Sequence, residues 1–548
     1  MVTCGVAVTE LLARQGVEQV FGIPGNHTLE LYRGLDASTV AHLTTRHEQG
    51  AAFAADGYAR ASGKPGVCYL ISGPGLLNAA TAIAQARADS VPLLIVTAVA
   101  ARADQGQGLG RLHELPAQQQ AARGFCRESL SLQRAEDLPA LIAYAFDQFR
   151  TRRPGPIHIE IPLDLMAEPV DLALLPEAPP AASSTTVLRG ETLARVQEAG
   201  KALLEAHTPM LLLGGGAMAV RSEDLRALAE LLDAPVLNTV NAKGLLDPAH
   251  PLAVGASPSL PCLQQALNSA DLVLAIGTEF GETDYDLLMG EVLPRQGRLI
   301  RIDIDADALT RNQQPDLGIC APAQDVVPAV CNALRDTDPA AKGPGSGASR
   351  AEQLRAACQT EAHYHWEFAR LFEVIETVAG ERIIVGDSTR PTYYATWQLS
   401  RRGPRQYFHS VSGFGTLGYA IPAAIGAQRA SGDAVLAIIG DGGAQFSLPE
   451  LATARDAGAA VTTLIWQNRG FEEIENSLAG RGVSNRSTTI SSPDFAVIGA
   501  AYALTVYQPR TWDELAAMLA EALAEGAPNL VLVQQEDFIT EPSGQWYG

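Results

Sequence analysis

The 548-residue chain is short of positive charge, of cysteine and of long apolar runs, and each scarcity removes a class of function. Lysine and arginine number 40 against 61 aspartates and glutamates, a formal charge of -21. The field of such a surface repels phosphate backbones, so nucleic acid is not expected as a partner, and the charge reads as a solubility feature. Seven cysteines, an odd number with no C-x-x-C pair, suit reduced thiols rather than a disulfide frame or a zinc site. The longest apolar runs, such as 91–101, fall far short of the roughly 20 residues that span a bilayer, so no membrane association is expected. The start, Met1-Val2-Thr3-Cys4-Gly5, has no basic segment ahead of an apolar stretch, and a cytoplasmic location is expected.

What is present is the material for large buried sheets: 47% of residues are hydrophobic and only 18% charged. The length exceeds what one core supports. Two stretches rich in Pro, Gly and Ser, 169–190 and 336–349, read as linkers and divide the chain into domains 1–168, 191–335 and 350–548. Each third alternates β-rich runs with helical stretches, which predicts three doubly wound α/β domains with parallel sheets. The expected strands are 20–23, 67–71 and 93–96, then 210–213, 272–276 and 299–303, then 383–385, 434–439, 462–466 and 530–533. Ligands of such sheets sit beyond the carboxyl ends of the strands, so the residues that follow these runs are where chemistry is sought.

One expected strand ends at Ile439 and runs into Gly440-Asp441-Gly442-Gly443; another ends at Trp466, before Gln467-Asn468-Arg469-Gly470. A Gly-Asp-Gly turn alone is commonplace. Its spacing from Asn468, 27 positions or one strand-helix-strand unit, puts two hard oxygen ligands at one sheet edge, facing one cation. Magnesium fits, because it takes one or two protein oxygens together with phosphate oxygens, and Gly442 and Gly443 let backbone N–H groups approach a diphosphate.

This pattern resembles the cofactor signature of thiamine diphosphate enzymes of the acetolactate synthase and 2-oxo acid decarboxylase family. The resemblance implies Mg2+ held by Asp441, Asn468 and the carbonyl of Gly470, although many relatives read Asn-Asn where this chain has Gln467-Asn468. It also implies that Gly440, Gly442, Gly443, Phe471, Ser388, Thr389, Gly415 and Thr416 line the cofactor. The block Thr45-Arg46-His47-Glu48-Gln49-Gly50 through Arg60 resembles the family's segment around an activating glutamate, here Glu48. That carboxyl group hydrogen-bonds the aminopyrimidine ring and makes it basic enough to remove the thiazolium C2 proton. The turn Ser72-Gly73-Pro74-Gly75-Leu76-Leu77-Asn78 resembles the loop beneath the pyrimidine, which adds Pro74 and Asn78. Leu417, in Gly413-Phe414-Gly415-Thr416-Leu417-Gly418, matches the apolar wedge that bends the cofactor. In relatives one cofactor bridges the first and third domains of different subunits, so a homodimer or homotetramer with the active site between subunits is implied.

The same resemblance places Asn26, His27 and His113 in the substrate pocket. Asn26 stands where pyruvate decarboxylases carry a catalytic Asp, which leaves His27 and His113 as the proton-transfer candidates. Asp387-Ser388-Thr389-Arg390 lacks the Gly-Gln-His of acetolactate synthases, while several runs, among them His113-Glu114-Leu115-Pro116, look closer to 5-guanidino-2-oxopentanoate (2-ketoarginine) decarboxylases. Glu472 or Glu473, just past the metal loop, would then hold a guanidinium bidentately; the alternative is an acidic helix facing solvent. The middle domain's Leu213-Gly214-Gly215-Gly216-Ala217 turn suits a nucleotide, and acetolactate synthases hold FAD in this region. The absence of G-x-G-x-x-G favours a domain without one. The expected function is decarboxylation of a 2-oxo acid through ylid and enamine intermediates. An acetolactate synthase-like or benzaldehyde lyase-like carboligase is the first alternative, and a flavin- or nicotinamide-dependent oxidoreductase the second.

Overall fold

Each apolar run expected as a strand pairs in parallel with its neighbours, in three separate sheets of six, five and six strands. The computed structural model describes residues 1–171, 188–287, 292–335, 346–361, 368–484 and 487–539, and most of both expected linkers lies outside the described residues. The first sheet runs Ala41–Thr44, Gln19–Gly22, Gly66–Leu70, Leu93–Val99, Ile157–Pro162, Glu128–Ser131 in space. The third runs Tyr407–His409, Ile384–Gly386, Val435–Gly440, Val461–Gln467, Asn529–Gln534, Thr505–Tyr507. Numbered along its own stretch of chain, each has the order 2-1-3-4-6-5. The central sheet runs Val236–Asn238, Met210–Leu213, Leu272–Ile276, Arg298–Asp303, Leu317–Cys320. An antiparallel pair, Val2–Thr3 with Pro169–Val170, ties the start of the first domain to its end.

Helices cover both faces of every sheet, so the strands are near-continuous buried apolar runs, as parallel sheets require. One core crosses from the first domain to the third: Phe53, Ala54 and Tyr58 pack with Tyr419, Ala423 and Ile425. The contact is made by helices Glu48–Ser62 and Ala420–Ser431, whose facing residues are mostly Ala and Gly. A Cβ on Gly57 would stand 2.0 Å from the Ala423 carbonyl oxygen, and one on Gly426 1.8 Å from that of Ala54. Only glycine lets the two backbones come this close. The pairing fixes the helix that begins at Glu48 against the third domain.

Helix Gly347–Thr360, at the start of the stretch expected as the third domain, lies against the central one: Ala351 and Leu354 pack with Leu263 and Leu267. All seven cysteines are free. Among the described residues no helix is long and apolar enough to cross a membrane.

Candidate active site

In the order 2-1-3-4-6-5 the chain reverses direction across the sheet between strands 1 and 3, which leaves a crevice at their carboxyl ends. In the first sheet these ends are Pro24-Gly25-Asn26-His27 and Ile71-Ser72-Gly73. The His27 Nδ1 lies 2.7 Å from the Ser72 Oγ, directly across the crevice. His113 meets His27 edge to face, ring centroids 5.3 Å apart, and its Nδ1 is buried with no protein partner. Burial, and the second imidazole beside it, lower the His27 pKa. Gly73, at φ +62, accepts the His113 backbone so closely that a Cβ would stand 2.5 Å from its carbonyl oxygen.

Glu48 opens its helix where an acidic side chain complements the dipole. It is half-buried, and its Oε2 accepts a 2.9 Å hydrogen bond from Asn78 Nδ2. Asn78 lies one turn into the helix that begins at Pro74. Gly75 joins this pair to the histidines, because a Cβ there would touch Ile71 and stand 3.5 Å from Glu48 Oε1. Glu48, Asn78, His27 and His113 therefore share one neighbourhood, with Asn26 exposed at its rim.

The third sheet repeats the crevice with different residues: Asp387-Ser388-Thr389 follows strand 1 and Asp441 follows strand 3. Asp441 is fully buried. Its Oδ1 accepts from Gly442 N (2.9 Å), and its Oδ2 from Arg469 N (2.9 Å) and Ser492 Oγ. The bond from Arg469 draws the 468–470 loop onto the Asp441 turn. Gly440 abuts Thr389, and Gly443 abuts Asp387, closely enough that a Cβ on either would stand less than 3 Å from a side-chain oxygen. Phe471 packs over Gly442, and Gly470 makes a bridge to Thr489. A carboxylate, an amide oxygen and a main-chain carbonyl form a hard-oxygen set that suits Mg2+, beside a short helix start with small residues that suits a diphosphate.

Three residues the sequence reading passed over hold these elements in place. Glu450, 1% exposed in the third domain, accepts the backbone N–H groups of Arg46 (3.1 Å) and His47 (3.0 Å), just ahead of Glu48. Gln85, in the first domain, accepts from Thr416 N (3.2 Å) and Thr416 Oγ1 (3.0 Å), and so clamps the loop that carries Leu417. Asp387 holds the same loop from the other side, accepting from Gly418 N (3.1 Å) and Ala420 N (2.9 Å). Leu417 is half-buried and Gly415 exposed. Glu472 does not stand free toward a pocket: Arg390 Nη1 (2.5 Å), Asn468 Nδ2 (2.8 Å) and Gln535 Nε2 (3.0 Å) all donate to it. Glu473 and Glu475 follow on the same helix, which has no fully buried residue.

The folds and crevices define a cofactor-dependent α/β enzyme, and comparison with known proteins supplies the family. Models of the thiamine pyrophosphate enzyme match in order: the N-terminal TPP binding domain at residues 2–122, the central domain at 196–330 and the C-terminal TPP binding domain at 387–533. The chain is 40% identical over 541 residues to a probable 2-ketoarginine decarboxylase, AruI, of Pseudomonas aeruginosa, covering 96% of this chain and 93% of the relative. It is 30% identical to a probable acetolactate synthase large subunit of Methanocaldococcus jannaschii, over 98% of this chain and 92% of that one. It is likewise 30% identical to the acetolactate synthase isozyme 1 large subunit of Escherichia coli, over 96% and 93%. The chain belongs to the thiamine pyrophosphate enzyme family, in its decarboxylase and lyase group.

Proposed function

We propose that the enzyme is a magnesium-dependent decarboxylase of a 2-oxo acid, with 5-guanidino-2-oxopentanoate as the candidate substrate. The observation that carries this reading is that the 72–75 turn lies against both the His27–His113 pair and Glu48, in a chain 40% identical to a probable 2-ketoarginine decarboxylase. Asp441, Asn468 and the Gly470 carbonyl would hold the Mg2+, with Gly442, Gly443, Ser388 and Thr389 against the diphosphate. When bound, thiamine diphosphate supplies a nucleophilic carbon and an electron sink for the substrate carbonyl.

The remaining work falls to side chains of this protein. Glu48, steadied by Asn78, would hydrogen-bond the far nitrogen of the pyrimidine. Leu417, its loop held between Gln85 and Asp387, would wedge the cofactor. His27, kept neutral by burial and by His113, is oriented by the hydrogen bond between its Nδ1 and Ser72 Oγ. After carbon dioxide leaves, the histidine pair returns a proton to the substrate carbon, and an aldehyde departs. Asn26, in place of an acid, leaves that step to the pair. Glu473, on the acidic helix past Phe471, is the carboxylate that would face a guanidinium tail.

The reading includes a homodimer or homotetramer in a reducing, cytoplasmic compartment. Phe414 and Phe446 are 54% and 57% exposed, and Phe446 lies beside the Leu417 loop, an apolar surface that a second subunit would cover. Separate incubation with pyruvate, 5-guanidino-2-oxopentanoate and branched 2-oxo acids, followed by product identification, tests the proposal. Carbon dioxide and 4-guanidinobutanal are expected from the guanidino acid. A ligated product such as acetolactate, formed from pyruvate in preference, would instead establish the carboligase reading that the 30% identity to acetolactate synthases supports.

A further inference from the structure

Glu472 is the meeting point of a hydrogen-bonded chain that reaches the metal loop. Trp466 Nε1, which can only donate, bonds Gln535 Oε1 at 2.7 Å. That fixes the Gln535 amide so that Nε2 faces Glu472, and it reaches both carboxylate oxygens, at 3.1 and 3.0 Å. Arg390, with 3% of its side chain exposed, donates to Oε1 from its place at the start of the helix after Thr389. Asn468 Nδ2 donates to Oε2 at 2.8 Å. An ionised carboxylate has no proton to give, so every group that faces it must be a donor. The Asn468 amide is thereby turned with its nitrogen toward Glu472 and its oxygen away.

We propose that Glu472 is a positioning residue for the cation site, orienting Asn468 so that Oδ1 is presented as a magnesium ligand. This rests on the reading of Asn468 as a ligand. The three donors around the carboxylate come from the helix after strand 1, the loop after strand 4 and the segment after strand 6 of the third sheet, so the amide is set by the frame of the whole domain. A neutral glutamine in place of Glu472 presents one acceptor oxygen and an NH2 group, which meets Asn468 Nδ2, Gln535 Nε2 or Arg390 donor to donor. The Asn468 amide is then free to turn over and offer the cation its nitrogen. Loss of such an outer partner typically weakens metal binding about 10–100-fold.

The test is a Mg2+ titration of the cofactor-stripped full-length protein at a fixed excess of thiamine diphosphate, read by calorimetry and by intrinsic tryptophan fluorescence, beside steady-state kinetics. E472Q is expected to bind Mg2+ about 10–100-fold more weakly. Its activity should fall at limiting Mg2+ in step with the weaker binding and recover in part as Mg2+ is raised, while the melting temperature of the stripped protein stays near the parent's. An unchanged Mg2+ affinity in folded E472Q overturns the proposal, and a raised KM for the 2-oxo acid with unchanged Mg2+ affinity returns Glu472 to the substrate pocket. Asn468→Ala separates the two layers: Mg2+ affinity untouched in that variant would remove the ligand reading itself. Should E472Q not fold, Gln535→Leu carries the test, with a few-fold weaker Mg2+ binding expected and no change overturning the idea.

Discussion

The first and third sheets share the strand order 2-1-3-4-6-5 and yet present different residue types at equivalent crevices. Between strands 1 and 3 the first sheet places ionisable rings, His27 across from Ser72 with His113 above. The third places glycines and a buried carboxylate there, so backbone N–H groups and hard oxygens face the opening. The central sheet, ordered 2-1-3-4-5, fills the equivalent gap with its own backbone: a Cβ on Gly214 would stand 2.2 Å from the Gly277 carbonyl oxygen. One architecture thus offers ionisable rings at one crevice, hard oxygens and backbone N–H groups at another and a closed gap at the third, according to which residue types follow the strands.

Two substitutions break that division most sharply. Glu48→Gln is expected to lower kcat by about 10²–10⁴-fold, the range for losing an acid-base group, while Mg2+ and thiamine diphosphate still bind. Asp441→Asn should do the reverse, weakening Mg2+ binding at least as much as the loss of an outer partner, about 10–100-fold, with activity recovered in part at high Mg2+. Initial rates measured beside binding isotherms separate them. A loss of cofactor affinity without a loss of kcat in the Glu48 variant would erase the contrast between the two crevices.

The histidine pair carries the next test, of the proton transfer proposed for the first crevice. Because burial and the neighbouring ring hold His27 below its ordinary value of 6.5, it is neutral at pH 7, and it charges only as pH falls past that lowered value. The acid limb of kcat/KM should therefore lie below pH 6.5. His27→Ala is expected to remove that limb and to cost about 10²-fold in rate, the low end for such a group, since His113 remains. His113→Gln takes away one of the two causes of the depression, so the limb should move up in pH. An acid limb that stays in place in both variants would dissociate the pair from proton transfer.

How much of this was readable in advance follows the same physics. The interior strands are unbroken apolar runs and were legible. Six strands that went unread, Ala41–Thr44, Glu128–Ser131, Val236–Asn238, Leu317–Cys320, Tyr407–His409 and Thr505–Tyr507, are all sheet edges, short and partly polar because one side has no neighbour. Ile157–Pro162 is interior but hid behind His158 and Glu160, whose burial is tolerated because Thr97 and Ser129 bond the imidazole at 2.8 Å and Gln118 the carboxylate at 3.2 Å. In the site, Glu48, Asp441 and Asn468 announce themselves because each sits in a local motif. Gln85 and Glu450 do not, since their partners lie 331 and 404 positions away and nothing around either residue marks the contact. Glu472 was visible as a charge, but two of the donors that surround it, Arg390 and Gln535, lie 82 and 63 positions away.

Asp387 offers a smaller, pH-resolved test of the third crevice. Burial lifts its carboxyl group from 3.8 to about 6, against the backbone N–H bonds from Ser388, Gly418 and Ala420 that pull it down. With the folded value above the unfolded one, the native state holds the proton more tightly. Its contribution to stability is complete below pH about 3.9 and is lost as pH rises through about 6. Asp387→Asn carries no such slope. The parent's advantage over the variant in denaturant unfolding should therefore shrink by on the order of 2 kcal/mol between pH 4 and 6 and stay level above. A difference that grows over that interval would mean the carboxylate is favoured in the folded protein.

Glu450→Gln makes the smallest expected change and probes the seam between the two sheets. The carboxylate accepts from Arg46 N, His47 N and Thr453 Oγ1, and the last of these bonds is 2.6 Å long. An amide keeps one accepting oxygen for the backbone N–H groups, but it cannot also accept from Thr453 without turning its NH2 toward them. Its NH2 group can only donate to Thr453 Oγ1, so a charge-assisted bond becomes a neutral one, a loss of about 1 kcal/mol net. Since those N–H groups open the helix that carries Glu48, kcat should fall a few-fold, while Mg2+ affinity, set at the other crevice, holds. A variant with lowered Mg2+ affinity and unchanged kcat would show that the third domain, and not the Glu48 helix, depends on this buried carboxylate.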